Sequence, residues 1–241
     1  MTGRVVIVTG AGSGLGWHIT QALLAQGERV IANYATSGDL LNDRVTEVGA
    51  ERLVPVKGSI CDESTSEQLA HEAARLGGPQ AVIHNASITR DGLLVKMSLH
   101  DWQAVQDVNL RGAFLVSKHA VRKMLRHRAG RVVYISSVSA VMGNAGQANY
   151  AASKSGLDGL ARSVAQEYAG RGISACVLAA GLIDVGMGAR LAPEIQQAKL
   201  AKILGGGANP EEIAGIATFL ASDAASYINA TVVHANGGID F

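Results

Sequence analysis

Apolar positions along the chain follow two alternating patterns. Short unbroken apolar runs occupy residues 5–8, 30–32, 53–56, 81–83, 132–135, 175–178 and 231–233, and each reads as a buried strand. Between them, residues 14–26, 40–48, 65–76, 101–126, 150–168 and 210–221 repeat their apolar positions at helical spacing. Strands that alternate with helices predict a doubly wound, parallel, seven-stranded α/β sheet with helices on both faces. No internal repeat, low-complexity run or linker interrupts the order, so residues 1–241 read as one domain. Two stretches break the rhythm. Residues 85–100 form a long loop after the fourth strand. Residues 182–208 are polar and rich in small residues, and end in Gly205-Gly206-Gly207. The second stretch is either a lid over a substrate or a plain surface insertion.

The turn after the first strand is the first candidate for chemistry. It reads Thr9-Gly10-Ala11-Gly12-Ser13-Gly14-Leu15-Gly16. A strand that feeds a glycine-rich turn into a helix N-terminus makes an anion site. Without Cβ atoms the backbone N–H groups can reach a pyrophosphate, and the helix dipole favours negative charge. Gly16 would also let the helix pack close to the strand. No Gly-Lys-Ser/Thr follows, which excludes a Walker loop. This placement reads as a single-domain Rossmann fold that holds a dinucleotide. The second strand ends Asn33-Tyr34-Ala35-Thr36-Ser37, without the carboxylate that would hold both ribose hydroxyls and repel a 2′-phosphate. The nearest acid is Asp39. Small hydroxyl residues can accept a 2′-phosphate, so NADP(H) is favoured. No arginine is at hand to pair with that phosphate, which keeps NAD(H) open.

A second group of residues is a candidate for chemistry, against the reading of an ordinary polar pair on a surface helix. Tyr150 and Lys154 stand four apart, on one face of a helix. Ser137 lies just past the fifth strand, thirteen residues before Tyr150. In an open α/β sheet the carboxyl ends of the strands line the ligand crevice, which puts Ser137 on the same rim as the glycine turn. Asn109 falls beside the apolar stripe of Trp102, Val105, Val108 and Leu115, where an unpaired amide is costly. It either bonds a neighbouring backbone group or holds an ordered water near the lysine.

Composition narrows the function classes. A formal net charge of +1 argues against a nucleic-acid partner or a polybasic membrane surface. No apolar run reaches the ~18 residues of a membrane helix. Met1 leads directly into a strand at residues 4–9, with no room for a signal peptide, so a cytoplasmic location is expected. Cys61 and Cys176 show no CxxC spacing and read as reduced thiols. No metal ligand set is expected.

Taken together, Thr9-Gly10-x-x-x-Gly14-x-Gly16, His84-Asn85-Ala86, Asn109, Ser137, Tyr150-x-x-x-Lys154 and Gly181 resemble the short-chain dehydrogenase/reductase family over the whole chain. Residues 88–94, 143–150, 209–214 and 219–223 look like the β-ketoacyl-[acyl-carrier-protein] reductases within it. The resemblance implies NADPH-dependent reduction of a 3-oxoacyl-[acyl-carrier-protein], in fatty-acid or related polyketide- or polyene-type biosynthesis. Tyr150 would act as general acid, helped by the Lys154 ammonium, which would lower its pKa. Ser137 would steady the substrate oxygen. Lys154 would hold the nicotinamide ribose, and Asn109 would anchor a proton-relaying water. The cofactor groove would involve Gly10, Gly12, Ser13, Gly14, Leu15, Gly16, Asn33, Tyr34, Thr36, Ser59, Ile60, Asn85, Ala86, Gly181 and Ile183, with Tyr150 and Lys154 at its reactive end. Arg128 and Arg171 match positions that receive the acidic carrier, or are ordinary solvated charges. Ala151, Ala152, Ser155, Gly156 and Gly159 line the helix from Tyr150, for a symmetric homotetramer or for packing within the chain.

Some positions depart from that pattern. Ser87 stands where glycine is usual, Ser59 where an aspartate often bonds the adenine, and Ser13 where an arginine is common. Ala180, Val185 and Cys176 replace proline, threonine and asparagine. None removes a catalytic group, and together they suggest a specialised reductase. Two alternatives stand beside the ketoreductase. One is a dehydrogenase of a free secondary alcohol or ketone; the other is a cofactor-binding partner subunit with little activity of its own. Charge reversal at Arg128 and Arg171 separates the first, and recovery of activity with a second subunit the other.

Overall fold

A computed structural model describes residues 3–190, 193–204 and 206–239, and each of the seven apolar runs is a strand in it. They are β1 (Val5–Thr9), β2 (Arg29–Tyr34), β3 (Leu53–Lys57), β4 (Ala81–His84), β5 (Gly130–Ser137), β6 (Ile173–Ala180) and β7 (Val232–Ala235). All pair in parallel in one sheet of order β3-β2-β1-β4-β5-β6-β7. Parallel neighbours need crossover connections, and helices supply them. These are α1 (Gly14–Ala25), α2 (Asp39–Val48), α3 (Glu63–Arg75), α4 (Leu99–Gln106), α5 (Gly112–Met124), the short α6 (Ser139–Met142), α7 (Ala148–Tyr168), α8 (Pro193–Leu200) and α9 (Pro210–Leu220).

The unbroken apolar strands follow from two covered faces. Val6 and Val8 of β1 join Ile19 and Leu23 of α1, Leu41 of α2 and Ile213 of α9 in one core. Val5 and Ile7, pointing the other way, join Leu69 of α3, Val116 of α5 and Leu157 of α7. Each fully buried Val, Leu or Ile contributes about 1.5–3 kcal/mol. An alternating apolar–polar strand would leave one of these layers uncovered. The chain winds outward from β1 to β3, returns to β4 beside β1, and winds outward again to β7. The carboxyl ends of β1 and β4 therefore flank the crevice where such sheets bind ligands.

Beyond shifts of one or two residues at the ends of strands and helices, and the added α6 and short 3₁₀ turns, three elements differ from the sequence reading. The helix expected over 101–126 starts earlier, at Leu99, where Ser98 Oγ accepts from Asp101 N at 3.0 Å. It also contains a π-helical turn at Asp107–Arg111 between α4 and α5. A π turn inserts an extra residue, which the even apolar period could not reveal. The expected loop over 85–100 holds a 3₁₀ turn at Leu94–Lys96 as well as the start of α4. The stretch 182–208 is partly ordered structure: a 3₁₀ turn at Gly188–Arg190, then α8, with an Ile183–Ala208 bridge closing its base. Of that stretch, residues 191, 192 and 205 lie outside the described residues. The last strand runs to Ala235, a boundary shift of the usual size.

Candidate active site

The loops after β1 and β4 are tied together by one threonine. Thr9 Oγ1 accepts from Asn85 N at 3.1 Å and Ala86 N at 3.0 Å. Its single proton is then free for His84 Nδ1, 3.1 Å away, so His84 carries its own proton on Nε2. Nε2 is turned towards the Asn109 backbone carbonyl without reaching full hydrogen-bond geometry. Burial, with the nearby Lys154 charge, drives the His84 pKa down to about 3 and keeps the ring neutral. The Asn85 side chain donates to the carbonyls of Thr9 and Gly10, at 3.3 and 3.2 Å.

The glycine turn is shaped for close approach. Gly14 opens α1 at φ +53, and the Ser13 side chain caps none of the first-turn N–H groups. Those donors and the helix dipole form a cradle for a diphosphate. At Gly16 a Cβ would lie 2.0 Å from the Gly10 carbonyl oxygen and 2.6 Å from Asn85 Nδ2. Gly16→Ala is therefore expected to push the turn away from α1. It should cost about 1–3 kcal/mol of stability and weaken dinucleotide binding at least tenfold. Urea denaturation and a fluorescence titration with the dinucleotide check both, and unchanged binding would count against the cradle.

A cleft of about 400 Å³ runs from this turn to the ends of β5 and β6. Among the residues expected at a cofactor, Gly10, Ser13, Gly14, Leu15, Thr36, Asn85, Ala86, Tyr150, Lys154, Gly181 and Ile183 line it. Gly12 supports the turn from beneath, where a Cβ would lie 1.8 Å from the Ser37 carbonyl oxygen. Asn33, Tyr34, Ser59 and Ile60 are not brought to the cleft wall, and each has a structural occupation. Asn33 Nδ2 bonds the carbonyls of Gly58 at 3.0 Å and Val56 at 3.4 Å, tying β2 to β3. The Tyr34 ring packs against Gly38, Ser59 Oγ accepts from Cys61 N at 3.2 Å, and Ile60 packs on Gly112.

At the far end of the cleft, α7 presents Tyr150 and Lys154 one turn apart. Lys154 Nζ sits 5.7 Å from the Tyr150 ring centroid and donates to the Ile135 carbonyl at 2.8 Å. The N-terminus of α7 is pinned by buried Asn149, whose Oδ1 accepts from Tyr150 N at 2.7 Å. Asn149 Nδ2 donates to the carbonyls of Arg90 at 2.8 Å and Asp101 at 3.3 Å. Burial lowers the Lys154 pKa to about 7. Burial also raises the Tyr150 phenol, opposed by hydrogen bonding from Ser87 and Ser137 and reinforced by the Asp91 charge. Without a bound cofactor, then, the two serine hydroxyls ease ionisation of Tyr150. Burial disfavours the Lys154 ammonium on which the expected help to that ionisation depends.

Asn109 has the backbone partners that the structural one of its two readings requires. Its Oδ1 accepts from Ile88 N at 2.9 Å, and its Nδ2 donates to the Ile88 carbonyl at 3.1 Å and Ser153 Oγ at 3.0 Å. The amide is spent on these bonds and is not available to anchor a water through its donor. Ser153 Oγ in turn donates to the Tyr150 carbonyl at 2.7 Å. The π turn thus links the loop after β4 to α7.

A second cleft of about 510 Å³ adjoins the first. It shares Ser137, Tyr150, Gly181, Leu182, Met187 and Gly188 with it, and adds Asp91, Gln147 and Lys202. Ser137 and Tyr150 stand where the two spaces meet. Ser87, Asp91, Asn149 and Ser153 were not singled out as site residues in the sequence. Two signals were available: Ser87 stands where glycine is usual, and Ser153 is a polar residue inside the helical run that carries Tyr150 and Lys154.

Arg128 and Arg171 lie elsewhere. They precede β5 and β6, while Ser137 ends β5. Eight residues of strand separate the two rims by about 25 Å. The arginines are exposed and adjacent, with Arg128 Nη2 bonding the Gly170 carbonyl at 3.2 Å. Also away from the cleft, Glu63, Glu67 and His119 bring three potential ligand atoms within 4.8 Å of one another. Glu63 is already paired there with Lys118 and His119. Cys61 and Cys176 are free, and burial pushes the Cys176 thiol up to about 11, which makes it unreactive. Among the described residues no helix is long and apolar enough to cross a membrane.

Comparison with known proteins agrees with this geometry. The family model described as enoyl-(acyl carrier protein) reductase matches residues 10–240. The 3-oxoacyl-[acyl-carrier-protein] reductase of Aquifex aeolicus is 39% identical over 99% of this chain and 98% of its own. That of Pseudomonas aeruginosa is 40% identical over the same shares, and that of Escherichia coli 38% identical over 98% and 97%. With a dinucleotide cradle at the β1–β4 switch point, a Tyr–Lys pair across the cleft and full-length similarity to these reductases, the chain belongs to the short-chain dehydrogenase/reductase family of nicotinamide-dependent oxidoreductases.

Proposed function

We propose that the protein reduces the 3-oxo group of an acyl chain carried on acyl carrier protein, in fatty-acid or related biosynthesis. One observation carries the reading. Ser137 and Tyr150 present their hydroxyls where the cofactor-side cleft meets the second, substrate-side cleft. Two hydroxyl groups at one point suit a carbonyl oxygen that gains negative charge. When bound, the nicotinamide supplies the hydride. Tyr150 gives its proton to the substrate oxygen, and Ser137 hydrogen-bonds the same oxygen and fixes its position. Lys154, 2% exposed and held by Ile135, sets the place of the nicotinamide ribose.

NADP(H) is the cofactor favoured. Thr36 lines the cleft at the end of β2, and no carboxylate stands in residues 33–37 to repel a 2′-phosphate. Residues 182–208 act as the substrate lid, since Leu182, Met187 and Lys202 line the second cleft. The exposed Ala152, Ser155 and Gly159 of α7, with Phe114 of α5 at 48% exposure, provide the contact face of a homotetramer. Gly156 is used within the chain, because a Cβ there would lie 2.8 Å from Leu110 Cδ2.

The test is turnover of acetoacetyl-[acyl carrier protein] by the pure protein with NADPH and, separately, with NADH. Rapid oxidation of NADPH supports the reading. No turnover with either cofactor sinks it and turns attention to free alcohols. Arg128 and Arg171 enter as a docking pair for the acidic carrier. Their rim lies at the opposite end of β5 and β6 from Ser137. Reversing both charges is expected to raise KM for the carrier-bound substrate severalfold and to leave a free acetoacetyl thioester unaffected. Equal effects on both substrates would overturn the docking role.

A further inference from the structure

We propose that Ser87 is a further residue of the proton-transfer set: its hydroxyl faces that of Tyr150 and, with Ser137, governs how readily Tyr150 gives up its proton. The inference rests on the assignment of Tyr150 as the proton donor.

Three observations carry it. First, Ser87 lines the same cleft as Ser137, Tyr150 and Lys154. Second, its Oγ is sealed from solvent and meets no partner at full hydrogen-bond geometry. A buried hydroxyl left in that state costs about 1–3 kcal/mol, so it calls for a reason. The group that faces it is the Tyr150 hydroxyl, whose ionisation both serines ease. Third, Ser87 is clamped from both sides. Ala86 N is held by Thr9 Oγ1, and Asn109 holds both the N–H and the carbonyl of Ile88. A residue fixed so firmly cannot turn its side chain into solvent by moving the loop.

The other groups around Tyr150 leave a task for a neutral donor. Lys154, from the same helix, has its charge disfavoured by burial. Asp91, from the loop after β4, works against ionisation. Lys202, from the segment before α9, lines the adjoining cleft, and His84 behind Lys154 is neutral. A serine hydroxyl accepts from the neutral phenol and donates to the phenolate. It has no titration of its own in the working range, so its effect holds across pH. A hydrogen bond to the charged form lowers the pKa of the group that bears it.

The experiment compares wild type, Ser87→Ala and Ser87→Thr, each with Tyr150→Phe as the blank. The pH profile of kcat/KM is recorded in the alcohol-oxidising direction. In parallel, the ¹³Cζ resonance of Tyr150 is followed in protein labelled at tyrosine. Ser87→Ala is expected to move the kinetic pKa up by about one unit, to lower kcat with KM little changed, and to shift the Cζ resonance. Ser87→Thr, which keeps the hydroxyl, should restore the wild-type profile. A Cζ resonance and a pH profile that Ser87→Ala leaves in place would overturn the proposal. The resonance reads the Ser87–Tyr150 contact even if the wild type turns over no carrier-bound ketone. Failure of the inference and failure of the functional reading are therefore distinguishable.

Discussion

Tyr150→Phe is expected to lower kcat for ketone reduction by about 10²–10⁴-fold, the range that a positioned general acid supplies. The substitution is clean. The Tyr150 side chain is 92% shielded, and its ring lies against Lys154 Nζ at 5.7 Å. Phenylalanine keeps that ring in place. The lost hydroxyl faces Ser87 and Ser137. Stability should therefore change by no more than about 1 kcal/mol, and dinucleotide affinity should stay within a few-fold. Substrate KM should change far less than kcat, because the proton is needed in the transition state and not for binding. Steady-state kinetics with acetoacetyl-[acyl carrier protein], beside a urea denaturation curve, check all three. A variant that keeps more than about a tenth of wild-type kcat would remove Tyr150 from the role of acid.

Lys154→Met should abolish most activity and yet make the unliganded protein more stable at neutral pH. The sign follows from linkage. Lys154 titrates at about 7 in the fold, against 10.5 for an exposed lysine. Above pH 10.5 the amine is neutral in both folded and unfolded chains, and burial carries no charge penalty. Between 10.5 and about 7 the unfolded chain takes up a proton that the folded one does not. Folding then loses about 1.4 kcal/mol per pH unit as pH falls. Below about 7 both states are protonated, and the full penalty persists at roughly 5 kcal/mol. Methionine fills a similar volume without the charge, but it leaves the Ile135 carbonyl without its donor at a cost of about 1–3 kcal/mol. The net gain at pH 7 should be about 2–4 kcal/mol. It should shrink and then reverse as pH rises towards 10. Urea denaturation of both proteins across this range checks it. Parallel stability–pH curves would mean that Lys154 stays charged in the fold.

Both expectations trace back to how a short spacing becomes a site. Tyr150 and Lys154 were legible because their relation is local: four residues on a helix share a face whatever the rest of the fold does. The glycine turn was legible for the same reason, since a strand, a turn and a helix N-terminus are contiguous in the chain. The strands were legible because burial on both faces leaves no polar positions to interrupt the run. From these local facts the doubly wound sheet and the dinucleotide end could be read from residues alone, whereas the role proposed for Tyr150 came from the resemblance to the family.

Relations through space were decided by the tertiary structure. The π turn in the helix before β5 leaves no mark in the apolar period, and it was the fold that gave Asn109 its partners at Ile88 and Ser153. Ser87 meets Tyr150 only because β4 ends beside β5 and α7 crosses their carboxyl edge. Arg128 and Arg171 precede site-bearing strands, and only the fold shows how far that is from the cleft, because a parallel strand carries its two ends to opposite rims. The protonation states belong to the fold as well. The same burial that orders Lys154 and Tyr150 lowers one pKa and raises the other, because charge is costly out of water whichever sign it has. The sequence determined which groups carry the chemistry and which elements hold them. The packed structure decided which groups meet, which are spent on holding the frame, and how tightly each holds its proton.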